Sequence, residues 1–113
     1  MKNRLHWLLC LGIFFFSGCL IKNTKPEDCT IVETEISSIS EGTSYDINFR
    51  NASGDYYYIN RGLEQGLILE DIKTKVLNKT VTLHLAKVLG GKVTSQHIAQ
   101  MAIGDTIIFT EFE

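Results

Sequence analysis

Residues 30–40, TIVETEISSIS, alternate apolar and polar side chains, the spacing of a strand with one buried face. Val32, Thr34 and Ile36 share one side; Ile31, Glu33 and Glu35 share the other. Ile39 is out of phase with Ile36, which predicts a bulge or bend near Ser37-Ser38. After a turn signal at Glu41-Gly42, Tyr45, Ile47 and Phe49 alternate with Asp46, Asn48 and Arg50, a second half-buried strand. Asn51-Ala52-Ser53-Gly54-Asp55 reads as a hairpin loop. Tyr56-Tyr57-Tyr58-Ile59 follows as a third strand with aromatic residues on both faces.

The period then changes. Within Leu67 to Leu77, Leu69, Ile72, Val76 and Leu77 fall at helical spacing. Glu70 and Asp71 stand early and Lys73, Lys75 and Lys79 late, as the helix dipole favours. Asn78 suits a left-handed cap. Thr80 to Lys87 returns to alternation, with Val81, Leu83 and Leu85 inward. Gly90-Gly91 turns the chain. Thr94 or Ser95 then caps a short helix carrying Ile98, Met101 and Ala102, ended by Gly104-Asp105. Thr106 to Phe112 is the last strand.

The predicted order is strand, strand, strand, helix, strand, strand, the first strand long and bent. This order resembles the OB-fold, a small five-stranded Greek-key barrel with a helix between strands three and four. The expected class is therefore mainly β with one main helix (α+β). An open α+β roll is the alternative. The domain is placed at 29–113, which is long enough to bury a core of its own.

Upstream, Leu5 to Phe16 reads LHWLLCLGIFFF behind a basic start at Lys2 and Arg4. A membrane-spanning helix needs roughly 20 apolar residues; this run is shorter and ends in small side chains, the build of a secretory signal. Phe16-Ser17-Gly18-Cys19 resembles the lipobox of bacterial lipoproteins, with Phe16 where Leu is usual. The resemblance covers residues 1–19. It implies a signal peptide over 1–18, cleavage between Gly18 and Cys19, and two acyl chains on the Cys19 sulfur, enough to hold a protein on a bilayer. Residues 19–28 read as a lipidated tether. Within it, Lys25-Pro26-Glu27-Asp28 is similar to the Lys-plus-acidic export signals of some surface lipoproteins, with Pro26 as an interruption. The remainder resembles small lipoproteins of Gram-negative envelopes, so the expected location is the cell envelope, lipid-anchored, at the outer membrane.

Without residues 1–18, nine Lys/Arg face thirteen Asp/Glu, a net charge of −4. Such a balance does not point to nucleic acid. Cys10 leaves with the signal and Cys19 becomes a thioether. Cys29 remains alone, read as a small buried residue at the start of a strand rather than a reactive or bridging thiol.

Chemistry is sparse. His84 lies on the polar side of its strand with Thr80 and Thr82, and His97 lies beside Ile98. Neither has a Cys, His or carboxylate at ligand spacing, so both read as solvated or rim histidines, and no metal or cofactor is expected. No phosphate-cradling, zinc-ligand or nucleophile-elbow motif occurs. Tyr56, Tyr57 and Tyr58 with Arg61 form the candidate binding patch. Tyr56 and Tyr58 share a face, Tyr57 takes the other, and one set must face outward. Exposed tyrosines and an arginine fork offer a contact surface. Core packing for one face, cross-strand pairing for the other and an Arg61–Glu64 pair account for the same residues. Asp105-Thr106-Ile107 is similar to a short O-glycosylation acceptor, and a strand start after a Gly-Asp turn explains it equally.

Three functions follow. The leading expectation is a non-enzymatic interaction or structural module on the membrane, meeting an envelope protein. The alternative is a barrel binding a glycan or small ligand through Tyr56 to Arg61. The third is an enzyme using Cys29 or His84.

Overall fold

The computed structural model describes residues 24–113. The expected signal peptide over 1–18, the expected cleavage site at Gly18 and Cys19, and the part of the expected tether up to residue 23 lie outside these residues. Strand β1 (Cys29–Glu41) organises the rest. Its first part, Cys29 to Glu35, pairs antiparallel with β4 (Thr80–Val88). Its second part, from Ile36, pairs antiparallel with β2 (Ile47–Asn51). The register shifts between Ile36 and Ser38. The extra residue, Ser37, turns its hydroxyl onto the Arg50 carbonyl at 3.1 Å. This is the bend expected from the phase slip, and it lets one strand serve two sheets.

Strands β2 and β3 (Tyr56–Ile59) form a hairpin whose loop is held by Asn51. The Asp55 amide donates to Asn51 Oδ1 at 2.8 Å, and Gly54 takes a positive φ of 90°. Helix α1 (Leu69–Val76) follows and buries Ile72 and Val76. It is shorter than the pattern 67–77, and Leu77 stays exposed. Asn78 takes the left-handed conformation (φ 64°), and its amide donates to the Ile36 carbonyl at 2.7 Å. The chain leaving the helix is thereby tied to the bend in β1. Gly62 packs against the core between β3 and the helix, where a Cβ would stand 2.9 Å from Ile47 Cδ1.

Strand β5 (Val93–Ile103) occupies the stretch read as a short helix. Leu85 opposes Ile98 while His84 opposes Gln100, which leaves Ala99 as an extra residue. A second irregularity lies at 95–97, where the Ser95 hydroxyl donates to the Ala86 carbonyl at 2.6 Å and accepts the His97 amide at 3.2 Å. These bulges bury Ile98, Ala99, Met101 and Ala102 together and so imitate a helical period. Tyr45 is the other correction. It belongs to a 3-10 turn over Thr43–Tyr45, has a φ of 67°, and is 56% exposed rather than inward.

The strand order is β3-β2-β1-β4-β5-β6, with β6 covering Thr106–Thr110. A parallel pairing of β3 with β5, Tyr58 opposite His97, closes the first five strands into a barrel. The chain is thus mainly β with one main helix, a small OB-like barrel with β6 added beyond it. Its core joins Ile36, Ile47, Phe49, Ile59, Leu83 and Met101, all fully buried, with Ile72 and Val76 of the helix. The inward set expected on β4, Val81, Leu83 and Leu85, is buried as well.

Candidate functional site

Alternation divides β3 between two environments. Tyr57 and Ile59 point into the core, Tyr57 with 8% exposure. Tyr56 and Tyr58 point outward and are half-buried. The outward face of β2 supplies their neighbours, because Arg50 opposes Tyr56 and Asn48 opposes Tyr58. Barrel closure brings His97 beside Tyr58 from the other side. Glu111, just past β6, reaches His97 because its amide remains bonded to the Ala99 carbonyl at 2.8 Å.

These side chains form one continuous row. The Arg50 guanidinium carbon stands 5.3 Å from the centre of the Tyr56 ring, within cation–π range. Tyr56 and Tyr58 stack with centroids 6.0 Å apart and planes inclined by 24°. Tyr58 meets His97 edge to face, at 5.6 Å and 89°. His97 Nε2 contacts both Glu111 carboxylate oxygens, at 2.8 and 3.1 Å. The Tyr56 hydroxyl donates to Asn48 Oδ1 at 2.9 Å. Burial, then the nearby Asp46, push the Tyr58 phenol above its ordinary value, so Tyr58 is a neutral hydrogen-bonding group at physiological pH. A carboxylate only accepts, so Nε2 is the donor in this contact.

Tyr56 has Arg50 on one side and Tyr58 on the other, and Tyr58 lies between Tyr56 and His97. This suits an amphipathic contact surface better than a platform on which a sugar or base lies flat on an open ring.

The remaining candidates go elsewhere. Arg61 follows β3 in a turn with φ 50°; its amide donates to Asp46 Oδ1 at 2.8 Å. Its guanidinium donates to Glu64 Oε2 at 2.8 Å, and this bond holds it firmly charged. The arginine that reaches a tyrosine ring is Arg50, not Arg61. His84 stands on β4 between Ile31 and Gln100, edge to face with Phe112 at 5.5 Å. Its Nδ1 is shielded and has no hydrogen-bond partner. Cys29 is buried, and its thiol donates to the Lys25 carbonyl at 3.6 Å. Burial and then Asp28 push this thiol up in pKa, which disfavours the nucleophilic thiolate.

Asn48 and Arg50 were legible as outward residues of β2, and a hairpin loop of known length sets them against Tyr58 and Tyr56. The His97–Glu111 contact had no such signal, since the partners are fourteen positions apart and β5 mimics a helix. Among the described residues, no group of three or more His, Cys, Asp or Glu is placed to hold a metal ion. No helix among them is long and apolar enough to cross a membrane. No family model, curated protein or solved structure matches the chain.

Proposed function

We propose that this chain is a lipid-anchored, non-enzymatic binding module of a bacterial envelope, meeting a protein partner through the row Arg50–Tyr56–Tyr58–His97–Glu111. The observation that carries the reading is the row itself. Tyrosines and arginine are the side chains that most often dominate protein contacts. Here they are pre-ordered by stacking and by the bond to Asn48, so little freedom is lost when a partner docks. The membrane part rests on the lipobox resemblance at Phe16 to Cys19. The non-enzymatic part is supported by the chemistry of the site. Among the described residues no serine, threonine or cysteine hydroxyl or thiol bonds a His97 ring nitrogen, and the Cys29 thiol is held protonated.

The test is site-specific photo-crosslinking in the native host, with the reactive side chain placed at Tyr56 and, as a control, at the exposed Glu35 on β1. One defined protein adduct at Tyr56, absent at Glu35, is the expected result. Adducts equal at both positions, or absent from both, refute the tyrosine row as a protein contact; glycan-array binding abolished by Tyr58→Ala would then favour the glycan reading.

A further inference from the structure

Strands β4 and β5 are joined by the tip Leu89-Gly90-Gly91-Lys92, closed by the Lys92 amide on the Leu89 carbonyl at 3.3 Å. Leu89 has a left-handed backbone, φ 54°, followed by Gly90 and Gly91 also at positive φ. It is 73% exposed, the most exposed large apolar side chain among the described residues. Val93, across the turn and paired with Val88, is exposed too. Lys87 and Lys92 flank this apolar end and are exposed. From Thr80 to Gly104 the chain contains no Asp or Glu, although the domain as a whole is acidic.

The tip lies at the end of the barrel from which the tether leaves. Cys29 pairs with Ala86, one residue before Lys87. The Thr30 and Thr94 hydroxyls are bonded at 2.7 Å, which fixes the start of β1 to the start of β5. The 3-10 turn Pro26–Asp28 packs against β4. Thr24 lies five positions after Cys19, so even a fully extended chain between them spans at most about 18 Å. If Cys19 carries its acyl chains in a bilayer, this end of the barrel is held close to the headgroups.

We infer that the β4–β5 tip is a second membrane contact: Leu89 and Val93 enter the boundary between headgroups and acyl chains of an anionic bilayer, and Lys87 and Lys92 meet its phosphates. The inference rests on the lipid-anchor reading of Cys19. An apolar tip rimmed by lysines is the side-chain chemistry of an interfacial contact, and each lysine near an anionic surface is attracted to it. Lys25 adds to the attraction, while Glu27 and Asp28 beside it oppose it, so the apolar pair is the main contact. The lipid and the tip together give the barrel one orientation and leave its tyrosine row free.

Tryptophan fluorescence tests this on the full chain, processed and lipidated, in vesicles of phosphatidylethanolamine and phosphatidylglycerol. The single native tryptophan, Trp7, departs with the signal, so Leu89→Trp carries the only indole. The control is Ile107→Trp, at a site 56% exposed on β6; its partner Ala102 lies nine residues beyond Val93 along β5, roughly 25–30 Å away. Expected are a blue-shifted emission from Leu89→Trp and about twofold or greater quenching by phospholipids brominated on their acyl chains, with neither in Ile107→Trp. Adding Lys87→Glu and Lys92→Glu reduces the quenching. Intact mass reads the anchor separately. Water-like, unquenched emission from a chain whose mass carries the acyl groups overturns the tip contact and leaves the anchor standing. Equal quenching at both positions also overturns it. A mass without acyl groups overturns the anchor and this inference together.

Discussion

Tyr57 and Tyr58 are adjacent in β3, yet they are held by different parts of the molecule. Tyr57 packs with Phe49 and Ile59 inside the barrel. Tyr58 stands outside between Tyr56 and His97. The inner tyrosine is held by many nonspecific apolar contacts, whereas the outer one is held by a few directional ones. The two faces therefore respond differently to the same change: truncation inside costs the fold, and truncation outside costs the surface.

The strongest test of that difference is the pair Tyr57→Ala and Tyr58→Ala. Tyr57→Ala is expected to lose about 3 kcal/mol or more of stability, as for other large aromatic truncations in cores. Tyr58→Ala is expected to lose about 1 kcal/mol, the scale of an aromatic pair, while abolishing the crosslink at Tyr56. Urea unfolding measures both; equal losses would remove the distinction between the faces.

The next effect lies at the far end of the row. Glu111→Ala leaves the buried His97 Nε2 without its acceptor and should cost about 1–3 kcal/mol. Glu111→Gln keeps an acceptor oxygen and should recover most of it. Denaturation curves for the two variants decide whether the C-terminal segment is held by this hydrogen bond or merely lies against β5.

The smallest effects mark the edges of the site. Tyr56→Phe removes the bond to Asn48 Oδ1 and should cost about 0.5–1 kcal/mol. Arg61→Ala breaks an exposed ion pair with Glu64, a kind of pair that contributes little to stability, so the unfolding curve and the Tyr56 crosslink should both stay unchanged. Loss of the Tyr56 crosslink in Arg61→Ala would return Arg61 to the binding surface.

Much of this architecture was legible in the chain. The phase slip between Ile36 and Ile39 marked the bend at Ser37. The alternation of Ile47 with Phe49, and of Val81 with Leu83 and Leu85, marked core faces that are buried. Half of the candidate site was legible in the same way, since Asn48, Arg50, Tyr56 and Tyr58 follow from two alternating strands and one loop. The other half was hidden by β5, where an extra residue at Ala99 shifts the inward phase. Apolar positions at Ile98, Met101 and Ala102 then have the spacing of a helix face, and a local pattern cannot distinguish a bulged strand from a short helix. His97 was consequently separated from both of its partners.

Local spacing decides which side of a strand a residue takes, because successive side chains must point to opposite faces. That much is written in the order of residues alone: the alternating faces of β2 and β4, the bend in β1 and the hairpin turn after Asn51. Which faces meet is a different matter. The pairing of β3 with β5, and with it the meeting of Tyr58, His97 and Glu111, arises only when the bend in β1 and the twist of every strand add up to a closed barrel. Closure is a sum over the whole domain, so no short segment carries it.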